Sequence, residues 1–224
     1  DVEGVRIEDC IFENNATGTW AYQGGAISTI NASYRVADNP NLTARNGCEF
    51  KGYYDAIRSE NLLSSPTLQH IEIKKATFTD NHHAIYLAEP TNARITYNDI
   101  HITNQLSPSP FPPLFQPARY GVYIDGDATY AIHNNVLKTD GPSTSIPTVG
   151  MVFKNNGNAA NQPYGNEIDG FNVGIEAIGR NRDQGDPYGG IEFKCNELGS
   201  SNSLSSQPSP TSYGNATDVY VVGG

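Results

Sequence analysis

The stretch from His70 to Pro90, HIEIKKATFTDNHHAIYLAEP, decides how the chain folds. Ile71, Ile73, Ala76, Phe78, Ala84, Ile85 and Leu87 make three short alternating apolar patches with a corner between each. They are too closely spaced for three separate hairpins, so the stretch reads as one rung of a coil. With Phe78 as the origin, the same offset recurs at Phe12, Phe50, Ile100, Leu137, Ile168 and Leu198. Two residues before these stand Cys10, Cys48, Ala76, Asn98, Asn135, Asn166 and Asn196, and five before stand Ile7, Arg45, Ile73, Ile95, Ile132, Pro163 and Phe193. After the origin each repeat restarts with a small residue and an aliphatic: Ala26-Ile27, Ala56-Ile57, Ala84-Ile85, Gly121-Val122, Gly150-Met151 and Gly174-Ile175, with Asp218-Val219 departing.

Phe78 and Ile100 are only 22 residues apart, which makes theirs the bare turn. Longer intervals carry loops, among them a polar stretch with Trp20, the connection from Asn31 to Arg45, and the proline-rich insertion from Gln105 to Arg119. Proline has no backbone donor for a strand ladder, so that last insertion is an excursion from the coil.

Composition agrees with a thin core and many exposed corners: 37% hydrophobic residues, 22 glycines and 14 prolines in 224 residues. One domain, residues 1–224, accommodates the repeat. The charge of −10 and the absence of a Lys/Arg run make nucleic acid and anionic membrane poor partners. No segment approaches the roughly 18 apolar residues needed to span a bilayer. Neither end shows the polar cap that a solenoid needs. The chain is therefore expected to be part of a longer polypeptide, or to meet copies of itself or flanking domains at its ends.

Cys10 and Cys48 share an offset in adjacent rungs, which places their backbones about 4.8 Å apart, within the range a disulfide bridges. Two small apolar thiols stacked in a core is the favoured reading, and a disulfide is the alternative. The asparagines have a structural explanation. A tight corner wants a residue tolerant of left-handed φ, and amides stacked one per rung bond to one another down the axis. Asn98, Asn135, Asn166 and Asn196 are thus expected to form an internal ladder.

The consensus I-x-x-N-x-F/I/L followed by G/A-I resembles the repeat of the pectate-lyase-like superfamily of β-helices. NEIDGFNVGIEAIGRN, GGIEFKCNEL and DVYVVGG are similar to secreted β-helix proteins of Bacteroidota that carry a separate C-terminal sorting domain. The resemblance implies an all-β fold: a single-stranded right-handed parallel β-helix of about seven rungs, secreted to the cell surface or beyond. It also implies that the Ala/Gly-Ile strand lies in the first sheet, the Ile-x-Ile strand in the second and the Phe-centred strand in the third. In such proteins the substrate groove runs along the outer face of the first sheet.

Two columns point outward there: Ser28, Arg58, Tyr86, Tyr123, Val152, Glu176 and Tyr220, and Ile30, Glu60, Ala88, Asp125, Lys154, Ile178 and Val222. Tyr86 and Tyr123 are vertical neighbours that offer a sugar ring a platform, although outward tyrosines also simply fit a pleated sheet. With Arg58, His82, Lys154 and Glu176 they form the expected ligand-binding set. Arg58, Glu60 and Asp125 are the candidate catalytic groups, the two acids lying at the wide margin of an inverting glycosidase's separation. The family's Asn-Thr-Asp, Asp-Asp, Gly-His-Gly and Arg-Ile-Lys motifs are absent, as is its calcium-binding aspartate cluster. Asp125-Gly126-Asp127, and Asp183 with Asp186, offer too few oxygens for a full calcium loop, so turns with no metal or cofactor are expected, and calcium is the alternative. The leading expectation is an extracellular non-catalytic module for adhesion or surface structure that touches polysaccharide. A polysaccharide lyase or glycoside hydrolase is the alternative, and a self-assembling filament or spike segment a third.

Overall fold

A computed structural model describes residues 2–15, 24–38, 47–62, 69–103, 118–127, 129–141, 146–157, 161–181, 190–199 and 217–222. Trp20, Asp183, Asp186 and residues 104–117 of the proline-rich insertion lie outside the described residues. All regular structure among the described residues is strand. Rung one holds β1 (Val2–Glu8), β2 (Ile11–Glu13) and β3 (Gly25–Ile30), and rung two β4 (Ala32–Ala37), β5 (Glu49–Lys51) and β6 (Asp55–Glu60). Rung three, the bare turn, holds β7 (Ile71–Lys74), β8 (Thr77–Asn81) and β9 (His83–Ala88). Rung four holds β10 (Ala93–Thr96), β11 (Asp99–Ile102) and β12 (Arg119–Asp125), and rung five β13 (Tyr130–His133), β14 (Val136–Thr139) and β15 (Thr148–Lys154). The remaining strands are β16 (Glu167–Asp169), β17 (Val173–Ile178), β18 (Glu197–Leu198) and β19 (Thr217–Val222).

Every neighbouring pair is parallel, and the strands sort into three sheets. The first sheet runs β3, β6, β9, β12, β15, β17, β19; the second β1, β4, β7, β10, β13; the third β2, β5, β8, β11, β14, β16, β18. Isolated bridges from His133 to Tyr164 and from Tyr164 to Lys194 carry the second sheet's register two rungs further. The fold is a right-handed parallel β-helix.

Registers explain why the repeat is so regular. Phe12 pairs with Phe50 and Phe50 with Phe78, and their rings stack at 4.9 and 5.0 Å, close to the strand spacing. Ile100, Leu137, Ile168 and Leu198 continue that column. On the first sheet Ile27, Ile57, Ile85, Val122, Met151, Ile175 and Val219 align, all but the last buried. The small residue before each of the first six is a packing requirement. A Cβ on Gly150 would sit 2.5 Å from the Gly174 carbonyl oxygen.

The ladder forms as expected. Asn98 Nδ2 donates to Asn135 Oδ1, Asn135 Nδ2 to Asn166 Oδ1, and Asn166 Nδ2 to Asn196 Oδ1, each at 2.9 Å. Each acceptor oxygen also takes the backbone N–H of the ladder residue below, from Ala76 N to Asn98 up to Asn166 N to Asn196. The left-handed backbone, however, falls one residue earlier, at Tyr97, Asn134, Gly165 and Cys195, with φ between 51° and 63°. Asparagine is present for its amide, and the corner strain rests on its neighbour.

Rung two corrects the fixed-offset reading of the second sheet. Val36 of β4 pairs with both Ile7 and Ile73 and so takes that column, while Arg45, the residue the offset named, lies outside the described residues. Counting back from Phe50 fails there because the extra residues enter between the second and third sheets. Cys10 and Cys48 are both free thiols. They bond to separate carbonyls, Cys10 Sγ to Glu8 O at 3.2 Å and Cys48 Sγ to Ile7 O at 3.4 Å.

Candidate functional site

The outer face of the first sheet carries both predicted columns in the predicted register. Arg58, Tyr86, Tyr123, Val152, Glu176 and Tyr220 align, as do Glu60, Ala88, Asp125, Lys154 and Ile178. A third column escaped the sequence reading: Asp55, His83, Tyr120, Val149 and Val173. It was hidden because Ala56-Ile57, Ala84-Ile85 and Gly121-Val122 are consecutive buried pairs. Two inward positions in succession break the alternation, so the residue three before each outward one also joins the outer layer.

Tyr120, Val149 and Val152 form a small hydrophobic cluster of their own, with Tyr86, Ala118, Tyr123, Val173 and Ile178 packed on it. His83 stacks flat on Tyr120, centroids 4.0 Å apart and planes 3° apart, and meets Tyr54 edge-on at 4.7 Å. Tyr86 and Tyr123 lie 5.4 Å apart at 41°, and Tyr120 meets Tyr123 at 5.0 Å and 61°. The pair is thus tilted rather than a flat sheet of phenols. Tyr86 is half-buried, with the Arg58 guanidinium carbon 4.5 Å from its ring centre.

Charges are chained across the lower rungs. Arg58 Nε donates to Glu60 Oε1 at 2.7 Å, its Nη2 lies 2.6 Å from the same oxygen, and its Nη1 lies 3.6 Å from Asp55 Oδ2. Asp55 Oδ1 is 2.8 Å from His83 Nδ1, and His83 Nε2 is 3.2 Å from the Ala118 carbonyl oxygen. Above, Lys154 Nζ donates to Asp125 Oδ2 at 3.1 Å.

Burial opposes the charge on Arg58, but the Glu60 hydrogen bond and the Asp55 charge outweigh it, and its pKa is raised. Burial raises the Tyr86 phenol, Asp125 adds to the effect and Arg58 opposes it. Tyr123 is pushed up to about 12 by burial, with help from Asp125 and Glu176. Glu176 is itself raised by burial. His82, just before β9, is buried, its ring tilted against Tyr54 at 5.4 Å. Burial, with Arg119 and His83 nearby, lowers its pKa to about 3.

The structure therefore brings together Arg58, Glu60, Tyr86 and Tyr123, and separately Asp125 with Lys154. Each candidate acid holds a cation. No cluster of three or more His, Cys, Asp or Glu side chains among the described residues is placed to hold a metal ion. A pocket of about 420 Å³ opens elsewhere, among Gly4, Arg6, Ser33, Tyr34, Arg35 and His70 beside the second sheet.

A family model for the right-handed beta helix region matches residues 1–198. No curated protein and no solved structure gives a significant match. With that match spanning most of the chain, and three parallel sheets coiling in the register described above, the chain belongs to the right-handed β-helix family.

Proposed function

We propose that the chain is an extracellular, non-catalytic β-helix module for adhesion or surface structure, which contacts polysaccharide at the Tyr86 and Tyr123 face. The observation that carries this is the state of the two candidate acids. Glu60 accepts from Arg58 and Asp125 from Lys154. Both carboxylates are thus engaged in ion pairs, and neither stands free to meet a scissile bond. The same groups make a rigid polar rim around two half-buried phenols, the composition of a sugar-binding surface. Kinship with the pectate-lyase-like superfamily, secretion, and a sorting domain of the Bacteroidota type belong to this proposal, on the strength of the repeat and of the C-terminal motifs.

The test is retention on a glycan array. Tyr86→Ala is expected to weaken it, and equal retention removes the reading.

The lyase or hydrolase alternative draws on one group, Glu176, whose carboxyl is raised by burial as a general acid's would be. Turnover of any acidic polysaccharide that falls in Arg58→Ala, Asp125→Ala or Glu176→Gln would favour it over the binding module.

A further inference from the structure

The second sheet exposes a row of aromatic rings beside two cations that form no direct ion pair among the described residues. Tyr97 is 53% exposed and Tyr164 43%, among the most exposed large side chains described. Between them lies His133, edge-on to Tyr97 at 5.8 Å and stacked on Tyr164 at 4.8 Å with planes 13° apart. Burial and the charge of Arg94 lower the pKa of His133, which favours the neutral ring. The register from Lys74 through Thr96 to His133, and on to Tyr164, aligns these rungs, and Arg94 occupies the outward position beside them.

Two observations set this face apart. Tyr97 takes the left-handed corner at φ +59°, the one aromatic among the described residues of a column that elsewhere uses Asp9, Gly47, Lys75, Asn134, Gly165 and Cys195. A bulky aromatic is unusual at such an angle, and here its ring is exposed. Further, Lys74 and Arg94 hold no ion pair among the described residues, whereas Arg35 and Lys75 are held by Glu72 and Asp38. Two cations outside any direct ion pair thus stand beside an open aromatic row in a chain of charge −10.

We propose that Lys74, Arg94, Tyr97, His133 and Tyr164 form a second binding surface, which takes a polyanionic glycan bearing carboxylate or sulfate groups. The rings receive the apolar faces of the sugars, and the cations meet their charges. From Lys74 to Tyr164 the surface crosses three rung steps, about 14 Å at the strand spacing, the length of a short oligosaccharide. Glu72, the register neighbour of Arg94, is held by Arg35 along one side of the surface, and Lys194, held by Glu192 at 2.9 Å, bounds it above. This surface is independent of the Tyr86 and Tyr123 face.

Affinity electrophoresis of the full chain in gels containing dextran sulfate, carboxymethyl-dextran or plain dextran tests it. Migration is expected to slow with an anionic polymer and not with plain dextran, and the polymer that acts distinguishes sulfate from carboxylate. The effect is expected to fade at high salt. The Lys74→Gln/Arg94→Gln double variant, and separately Tyr97→Ala/Tyr164→Ala, should lose roughly tenfold in affinity. Lys51→Gln, which removes a cation of the third sheet paired with Glu13, should bind as the parent does. The proposal is overturned if neither anionic polymer slows the chain, if plain dextran slows it equally, if the charge variant migrates like the parent, or if Lys51→Gln weakens binding as much as the charge variant does.

Discussion

Arg58 lies with its guanidinium carbon 4.5 Å from the centre of the Tyr86 ring while its Nε holds Glu60 at 2.7 Å. The cation is thus fixed in two directions and already occupies one face of the phenol. Arg58→Gln removes the positive charge that holds the Tyr86 phenol down, so Tyr86 should titrate higher still, as read by NMR of labelled tyrosine. Because Arg58 is partly exposed, the loss of stability should be small, about 0.5–1 kcal/mol in denaturant unfolding.

The ladder should matter far more. Asn135 is fully buried, and its Nδ2 lies within bonding reach of Ile95 O, His133 O and Asn166 Oδ1. Asn135→Ala strands those acceptors and the Asn98 donors, and should cost about 3 kcal/mol or more. Asn196, only partly buried at the end of the described ladder, should cost about 1 kcal/mol on the same truncation. Equal urea midpoints for the two variants would show that position in the ladder is irrelevant.

Acid should act through His82. Its folded pKa is depressed to about 3, against an ordinary value of 6.5. Above pH 6.5 folded and unfolded states both hold it neutral. Between about 6.5 and 3 only the unfolded chain takes up the proton, so stability falls as pH falls, by a few kcal/mol in total. His82→Gln should flatten that limb of the stability curve, whatever its effect at neutral pH.

The thiols should separate by burial. Cys195 is exposed, Cys10 intermediate and Cys48 1% exposed, and burial pushes the Cys48 thiol up. Alkylation of the native chain should label Cys195 first, and Cys48 only on unfolding. Intact mass without reductant should show no loss of two hydrogens from a Cys10 to Cys48 bridge.

Columns were legible from the sequence wherever one side chain per rung enters the core. Phe78 led to the whole third-sheet column, and Ile85 to the first, because parallel stacking places like residues on like at one strand spacing. What the repeat could not report were local departures from its phase. Val36 takes the second-sheet column of rung two because the chain between Ala37 and Glu49 is longer there than in the bare turn. His83, Asp55 and Tyr120 were overlooked because a doubled buried position shifts alternation by one. The outward position of Arg58 was legible, but its lodging on Tyr86 depends on a rotamer, which an offset does not encode.

The amide ladder begins at Asn98, while Cys10, Cys48 and Ala76 fill the same corner below it. Pulled along its axis, the solenoid would therefore yield unevenly. Its lower rungs are joined at that corner by soft contacts and its upper rungs by directional bonds, so extension should peel the N-terminal end first and leave the C-terminal rungs bearing the load.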